Sequence, residues 1–463
     1  MAELQSGSRA ARRRLAVASV LVAGLVIVGT TTLVMRQGVE ENAATGGDVQ
    51  YGVLASQCDP LRSRQLTQAG VDVAHVDLRW DLYHPESDAA DPTYTQQVFS
   101  MLEVCRDAGL DVIVGLGTQY APEWVRELPD GRFVDQTGTP SEADAPNLMY
   151  SSDVRGAFER YTSEVIQLLP EGSVSAIRLG TSEAGELGFP AEALDSRSGR
   201  NSFWAYNDAA QTGDGLPEGM TPSPLPGWEP GTDEWSGGSV TEDDVDAWFS
   251  WYSDSVVRTV AWQITLLRDL GFEGEFHLPF AGRGTLPADR EAAVAALLDG
   301  TADRDASLER GLYYPTQLHA IREATPDAVV VADITGLGDA TAVRAREASP
   351  RADTCEDSDV DLSLEDTPEV ADWSASRWTI ALAREAGYPV MGENPGPPSN
   401  PGTGSDSDSD SLPEQLRFAT QYAEDCKLRT FLFAFEDNLF ETGTAVPLSL
   451  YAHTIRDQEG RQS

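Results

Sequence analysis

The sequence predicts an α/β protein built on a (β/α)8 TIM barrel with loop insertions. Three observations predict it. Eight short, β-rich apolar segments recur, at 51–54, 74–78, 112–116, 176–179, 275–279, 329–333, 389–391 and 430–434. Longer amphipathic segments alternate with them, the clearest at 94–108, 154–169, 242–270, 315–324, 371–386 and 413–426. The chain has 463 residues, of which 41% are hydrophobic, enough for one large core. Alternation of this kind gives parallel strands with crossover helices, and eight units suggest a closed barrel. A doubly wound sheet is the alternative, but no Gly-rich phosphate loop follows the first strand.

The N-terminus reads differently. Residues 1–14 form a basic tail carrying Arg9, Arg12, Arg13 and Arg14. Residues 15–35 are uncharged and rich in Val, Leu and Ala, long enough for a transmembrane helix. With the arginines held on the cytoplasmic side, the rest of the chain is expected outside, as a single-pass membrane protein. A cleaved export signal is the competing reading, and it also places the body outside the cytoplasm. A polar linker follows at 36–50, then the barrel at 51–451 and a polar tail at 452–463.

Composition narrows the partners. The formal charge is −42 and the pI about 4.2. No basic patch survives beyond the first residues, so nucleic acid is not an expected partner. The acidity itself reads as a solvated surface. Cys58, Cys105, Cys355 and Cys426 form no CxxC pair, and there are five histidines, so neither a zinc site nor any cofactor is expected. Outside the cytoplasm the cysteines can form up to two disulfides, with three full connectivities open. Three insertions stand out: 191–240, rich in Gly, Pro and Trp; 351–368, acidic; and 402–411, a Ser-Asp repeat read as a solvated loop.

In a barrel the C-terminal ends of all strands meet at one mouth, where catalytic groups gather. The residues expected there are Asp77 and Trp80 after strand two, and Gln119 and Trp124 after strand three. Glu183 and Glu186 follow strand four, and Arg283 follows strand five. Asp333 and Thr335 end strand six, Glu393 and Asn394 follow strand seven, and Glu436 follows strand eight. Carboxylates, amides and aromatic rings suit a saccharide, because ring faces stack on sugars and planar acceptors take paired hydroxyls. Two glutamates, Glu186 and Glu393, each flanked by glycine, supply the two carboxyls that glycosidic cleavage requires.

Several segments resemble the β-amylases, glycoside hydrolase family 14. The stretch Val76-Asp77-Leu78-Arg79-Trp80 resembles that family's segment after the second strand. Ala184-Gly185-Glu186-Leu187 is similar to the segment bearing its general acid, and Gly392-Glu393-Asn394 to that bearing its general base. Trp251-Tyr252-Ser253 and Asp333-Ile334-Thr335 also resemble the family. The resemblance covers most of 51–440 at low identity. It implies an inverting hydrolase of α-1,4-glucan or a related polysaccharide or oligosaccharide. Glu186 would be the acid and Glu393 the base, with Asp77 holding the terminal sugar and Thr335 positioning water or the acid. Glu183 is the rival acid.

Departures accompany it. Gly117-Thr118-Gln119-Tyr120 replaces the His-Cys-Gly-Gly-Asn loop, and Pro279-Phe280-Ala281-Gly282-Arg283 replaces the lysine-bearing segment. The 117–124 stretch and Asp130-Gly131-Arg132 are similar to family 42 β-galactosidases, which retain configuration. A non-catalytic carbohydrate-binding envelope protein is a further reading. For the hydrolase, burial and a nearby charged Glu393 are expected to keep Glu186 protonated, while the Asn394 amide helps Glu393 stay ionised.

Overall fold

The structure is a computed structural model. It describes residues 49–462 except 88, 171, 192–200, 302–306, 338–353, 365–366, 368–369, 371–372 and 395–410. The chain divides into two units, 1–48 and 49–463, and the barrel occupies the second. The segment 15–35, expected to span a membrane, lies outside the described residues, as does most of the Ser-Asp repeat. Among the described residues no helix is long and apolar enough to cross a membrane.

Eight parallel strands close a barrel: β1 (Gln50–Val53), β2 (Val73–Asp77), β3 (Asp111–Gly115), β4 (Ala176–Arg178), β5 (Glu275–Phe280), β6 (Val330–Ile334), β7 (Val390–Glu393) and β8 (Thr430–Phe433). Each pairs with its sequence neighbours, and β8 returns to β1 with Tyr51 opposite Phe431. Every strand expected from the sequence is present, shifted by a residue or two at its ends. The crossovers are α1 (Pro60–Gln68), α2 (Pro92–Asp107), α3 (Ser152–Leu168), α4 (Glu242–Asp269), α5 (Pro287–Ala295), α6 (Tyr314–Ala324), α7 (Ala375–Glu385) and α8 (Leu412–Asp425), with α9 (Leu448–Gln462) last.

Local chemistry fixes where these helices begin. Asp59 and Asp91 accept from the first free amides of α1 and α2, and each is followed by a proline at the first helical position. Thr241 and Asp244 form a reciprocal capping box at the start of α4. The 452–463 stretch, read from its polarity as a tail, is helical to Gln462. Tyr451, Ile455 and Gln458 recur at helical spacing and are buried, and the Tyr451 hydroxyl donates to the Gly52 carbonyl at 2.9 Å. Polarity concealed a narrow apolar stripe.

The side-chain period of two divides each strand between the barrel lumen and the helix layer. Val73, Ile113, Ala176, Val331, Met391 and Leu432 fill the lumen with Leu54 and Ala434. Two residues further along three of these strands, the same inward face carries His75, Arg178 and Asp333, and Glu393 follows Met391 on β7 in the same way. The lumen therefore changes from apolar to charged towards the C-terminal mouth. Cys58 is bridged to Cys105, tying the loop after β1 to α2, and Cys355 to Cys426, at the end of α8.

Candidate active site at the barrel mouth

Arg178, the last residue of β4, is the centre of the site. It is buried, and four carboxylates act on its charge: Glu393, Asp333, Asp77 and Glu186. Burial disfavours the guanidinium charge, and these four outweigh it, so Arg178 stays protonated. One Nη2–H donates to Glu393 Oε1 at 2.8 Å, and Nε lies 3.4 Å from Asp333 Oδ2. The four acids come from β2, β6, β7 and the loop after β4, which meet only because the barrel closes.

Glu186 sits on the turn 180–188. Thr181 N and Ser182 N both donate to the Glu186 carbonyl, at 2.9 and 3.0 Å. The Thr181 hydroxyl donates to the Gly188 carbonyl at 2.8 Å. Gly185 has φ of 69°, the left-handed region that glycine enters at no cost, and a Cβ there would meet the Gln119 amide at 3.2 Å. This turn presents the Glu186 carboxylate to two donors. Arg310 Nη2 lies 2.9 Å from Oε2, and the Thr335 hydroxyl 2.6 Å from Oε1. Thr335 is in turn held through its carbonyl, which accepts from Asn394 Nδ2 at 2.7 Å.

Glu393 is the more deeply placed glutamate, with 9% of its side chain exposed against 18% for Glu186. Burial pushes its carboxyl well above the usual range; Arg178 opposes this, while Asp333 and Glu186 add to it. Asp333 is also raised, first by burial, with Arg178 and His277 opposing. One cation thus faces two buried acids, and the pair favours holding a proton. This direction works against the expected ionised Glu393. Burial outweighs its partner, and one Asn394 amide N–H goes to the Thr335 carbonyl. His75, fully buried beneath Asp77, is lowered to about 4 by burial, with Asp77 opposing at 3.7 Å.

The other expected residues divide. Gln119 joins the cluster, donating to Asp77 Oδ1 at 3.2 Å. Glu183 accepts from Ala191 N at 3.2 Å, which ties it to the start of the insertion. Trp124 is half-buried and donates to the His84 carbonyl at 3.0 Å. Arg283 donates to the Val370 carbonyl at 3.5 Å, on the segment leading into α7. Two expectations are corrected. Trp80 is a core residue, 0% exposed and stacked on Tyr161 at 5.1 Å, so no sugar reaches its faces. Glu436 is fully buried, bonded to Ser56 and 3.5 Å from Arg62, and braces the loop after β1.

Sequence reasoning missed Arg178, Arg310, His75 and His277. For Arg178 a signal existed: a charge inside a short apolar strand must face either a partner or solvent, and other strands end in carboxylates that face the same mouth. Arg310 lies in an irregular stretch with no periodicity to reveal it. No group of three or more candidate metal ligands occurs among the described residues.

This geometry defines the class: a (β/α)8 barrel with a carboxylate cluster at its C-terminal mouth, one glutamate following β4 and another ending β7. Solved structures place it further. The β-amylase catalytic domain of Paenibacillus polymyxa matches over 89% of this chain and 98% of that domain, with a TM-score of 0.54 and 15% identity. The β-galactosidase of the psychrophilic Marinomonas ef1 matches over 89% of this chain with a TM-score of 0.54 and 11% identity. That of Bacillus circulans sp. alkalophilus matches over 89% with a TM-score of 0.52 and 14% identity. This chain spans 60% and 56% of those two β-galactosidases. At such identities the likeness establishes a shared fold. No family model matches the sequence, and no curated protein does.

Proposed function

We propose that the protein is a glycoside hydrolase in which Glu186 and Glu393 act as acid and base on one saccharide. The observation that carries this reading is that Glu186, on the turn after β4, and Glu393, at the end of β7, both act on the one Arg178 charge. Support also comes from the glycosidase barrels that share the fold. Glu186 is the proton donor to the leaving oxygen. It lies nearer solvent, and its Thr335 partner is a hydroxyl that can accept its proton as readily as donate to it. Glu393, deeper and gripped by Arg178, takes the proton of the attacking water. Its carboxyl, raised by burial, must be ionised to do so, and the rising limb of the pH–rate profile is expected above the ordinary carboxylate range.

A polysaccharide or oligosaccharide of the α-1,4-glucan type is the proposed substrate, on the strength of the two glutamate segments. The same proposal has the body outside the cytoplasm, a reading that both disulfides support because they suit an oxidising compartment. The test is hydrolysis of a panel of glucans, galactosides and aryl glycosides. Glu186→Gln and Glu393→Gln are expected to lower turnover by about 10²–10⁴-fold each. Undiminished turnover in both variants would refute the reading.

A second reading has its own observation. Both glutamates are ion-paired, Glu186 to Arg310 and Glu393 to Arg178. A site fixed in that state binds saccharide without cutting it. Calorimetric binding with no product by chromatography would favour this reading.

A further inference from the structure

We infer that Arg178 and Asp333 are positioning residues that fix the face Glu393 turns to the attacking water, an inference that rests on the hydrolase reading. Glu393 has two oxygens, and Arg178 occupies one. Its Nη2 is 2.8 Å from Oε1, while Oε2 is buried and accepts from no N–H donor; the Asp333 carboxyl is the acid's other hydrogen-bonding neighbour. A buried carboxylate oxygen without a donor is costly, so it marks a place where a water or a substrate hydroxyl binds. The two oxygens of Asp333 and the Nε of Arg178 are likewise buried, and Asp333 interacts with both Arg178 and Glu393. These atoms belong to the inward-facing ends of β4, β6 and β7.

The guanidinium fork explains how the arrangement is held. Nε faces Asp333 at 3.4 Å while Nη2 binds Glu393, so one planar group sets the angle between two acids. The acids belong to adjacent strands, β6 and β7, with Asp333 opposite Met391 in the register. Glu393 follows Met391 by two residues on the same inward face. His277 lies on β5 beside Arg178 and also acts on Asp333. The other titratable groups that act on Arg178 are Asp77 and Glu186. Lysine cannot reproduce this, because a point charge has no fixed fork.

A merely structural role would have a different signature. Neutralising buried acids stabilises the fold, and loss of that function lowers Tm without altering the chemistry of molecules that remain folded. Positioning alters kcat and the pH profile in folded enzyme, with little change in KM.

The experiment compares wild type, Arg178→Lys, Asp333→Asn and Glu393→Gln on the best aryl glycoside from the panel, with circular dichroism and Tm recorded for each. Arg178→Lys is expected to fold, to lose about 10²-fold in kcat at near-constant KM, and to shift the rising limb of its pH profile. Asp333→Asn, nearly isosteric and less prone to unfold, is expected to shift the same limb. If both variants fold and keep wild-type kcat and limb while Glu393→Gln is inactive, the positioning role is overturned and the hydrolase reading stands. If wild type cleaves nothing, or Glu393→Gln is as active as wild type, the hydrolase reading falls and the positioning role falls with it.

Discussion

Glu393 ends β7 buried beside Asp333, and Arg178 is the cation between them. This placement has a cost that can be measured. Its carboxyl is raised above the ordinary value of 4.5, so the folded state binds the proton more tightly than the unfolded chain does. Folding stability from this group is therefore complete at acid pH and is lost as pH rises through the raised value. Glu393→Gln cannot ionise, and it leaves Arg178 balanced by Asp333. Its Tm by calorimetry is expected to exceed that of wild type at about pH 8, with the gap closing near pH 5. A variant less stable at both would show that the carboxylate is a structural brace. The sequence made this glutamate visible because it follows an apolar strand and is flanked by glycine. It could not reveal which of the two glutamates lies deeper, since depth is set by the barrel lumen. Trp80 shows the opposite failure. An aromatic at a strand end reads as a sugar platform, but Tyr161 and Phe158 on α3 pack over it.

Among the elements, the turn 180–188 decides whether Glu186 meets its partners. Its placement comes from both sides. Leu187 N donates to the Pro279 carbonyl of β5, and Phe189 N to the Arg310 carbonyl, each at 3.0 Å. Phe189 stacks on Tyr252 of α4 at 4.0 Å, and the Tyr252 hydroxyl donates to the Glu309 carbonyl at 2.6 Å. One aromatic pair thus fixes both the acid's turn and the segment that carries Arg310. The long insertion joins the same cluster, with Trp204 N donating to the Tyr252 hydroxyl and Trp228 packed on Trp248. Gly180 is the tightest point, since a Cβ there would lie 2.3 Å from the Gly185 carbonyl oxygen. Gly180→Ala is expected to cost about 1–3 kcal/mol and to lower kcat more than Glu183→Gln does, because the whole turn must shift. Chemical denaturation and initial rates check both halves. The strands and helices were legible from periodicity, but this clamp was not, because 189–240 follows no period.

At the scale of the whole molecule, two disulfides and a closed barrel hold a chain of charge −42 together. Self-repulsion disfavours the compact state. The bridges span 47 and 71 residues, and the chain-entropy model gives about 4 kcal/mol for each loop of this size. Reduction is expected to lower Tm, and added salt to restore part of the loss by screening. A Tm indifferent to reductant would mean that the core alone carries the fold. The sequence left the cysteine pairing open because all three connectivities were possible. The fold resolves it by pairing neighbours on the barrel's circuit: Cys58 after β1 with Cys105 on α2, and Cys355 between β6 and β7 with Cys426 at the end of α8.

Hydrolysis at this mouth requires a division of labour between the two glutamates. The direct measurement is turnover of two substrates, an alkyl glycoside and a dinitrophenyl glycoside whose leaving group needs no proton, by wild type, Glu186→Gln and Glu393→Gln. Glu186→Gln is expected to lose the alkyl substrate and keep most activity on the dinitrophenyl one, while Glu393→Gln loses both. Equal losses on both substrates for Glu186→Gln, or wild-type rates for either variant, would contradict it.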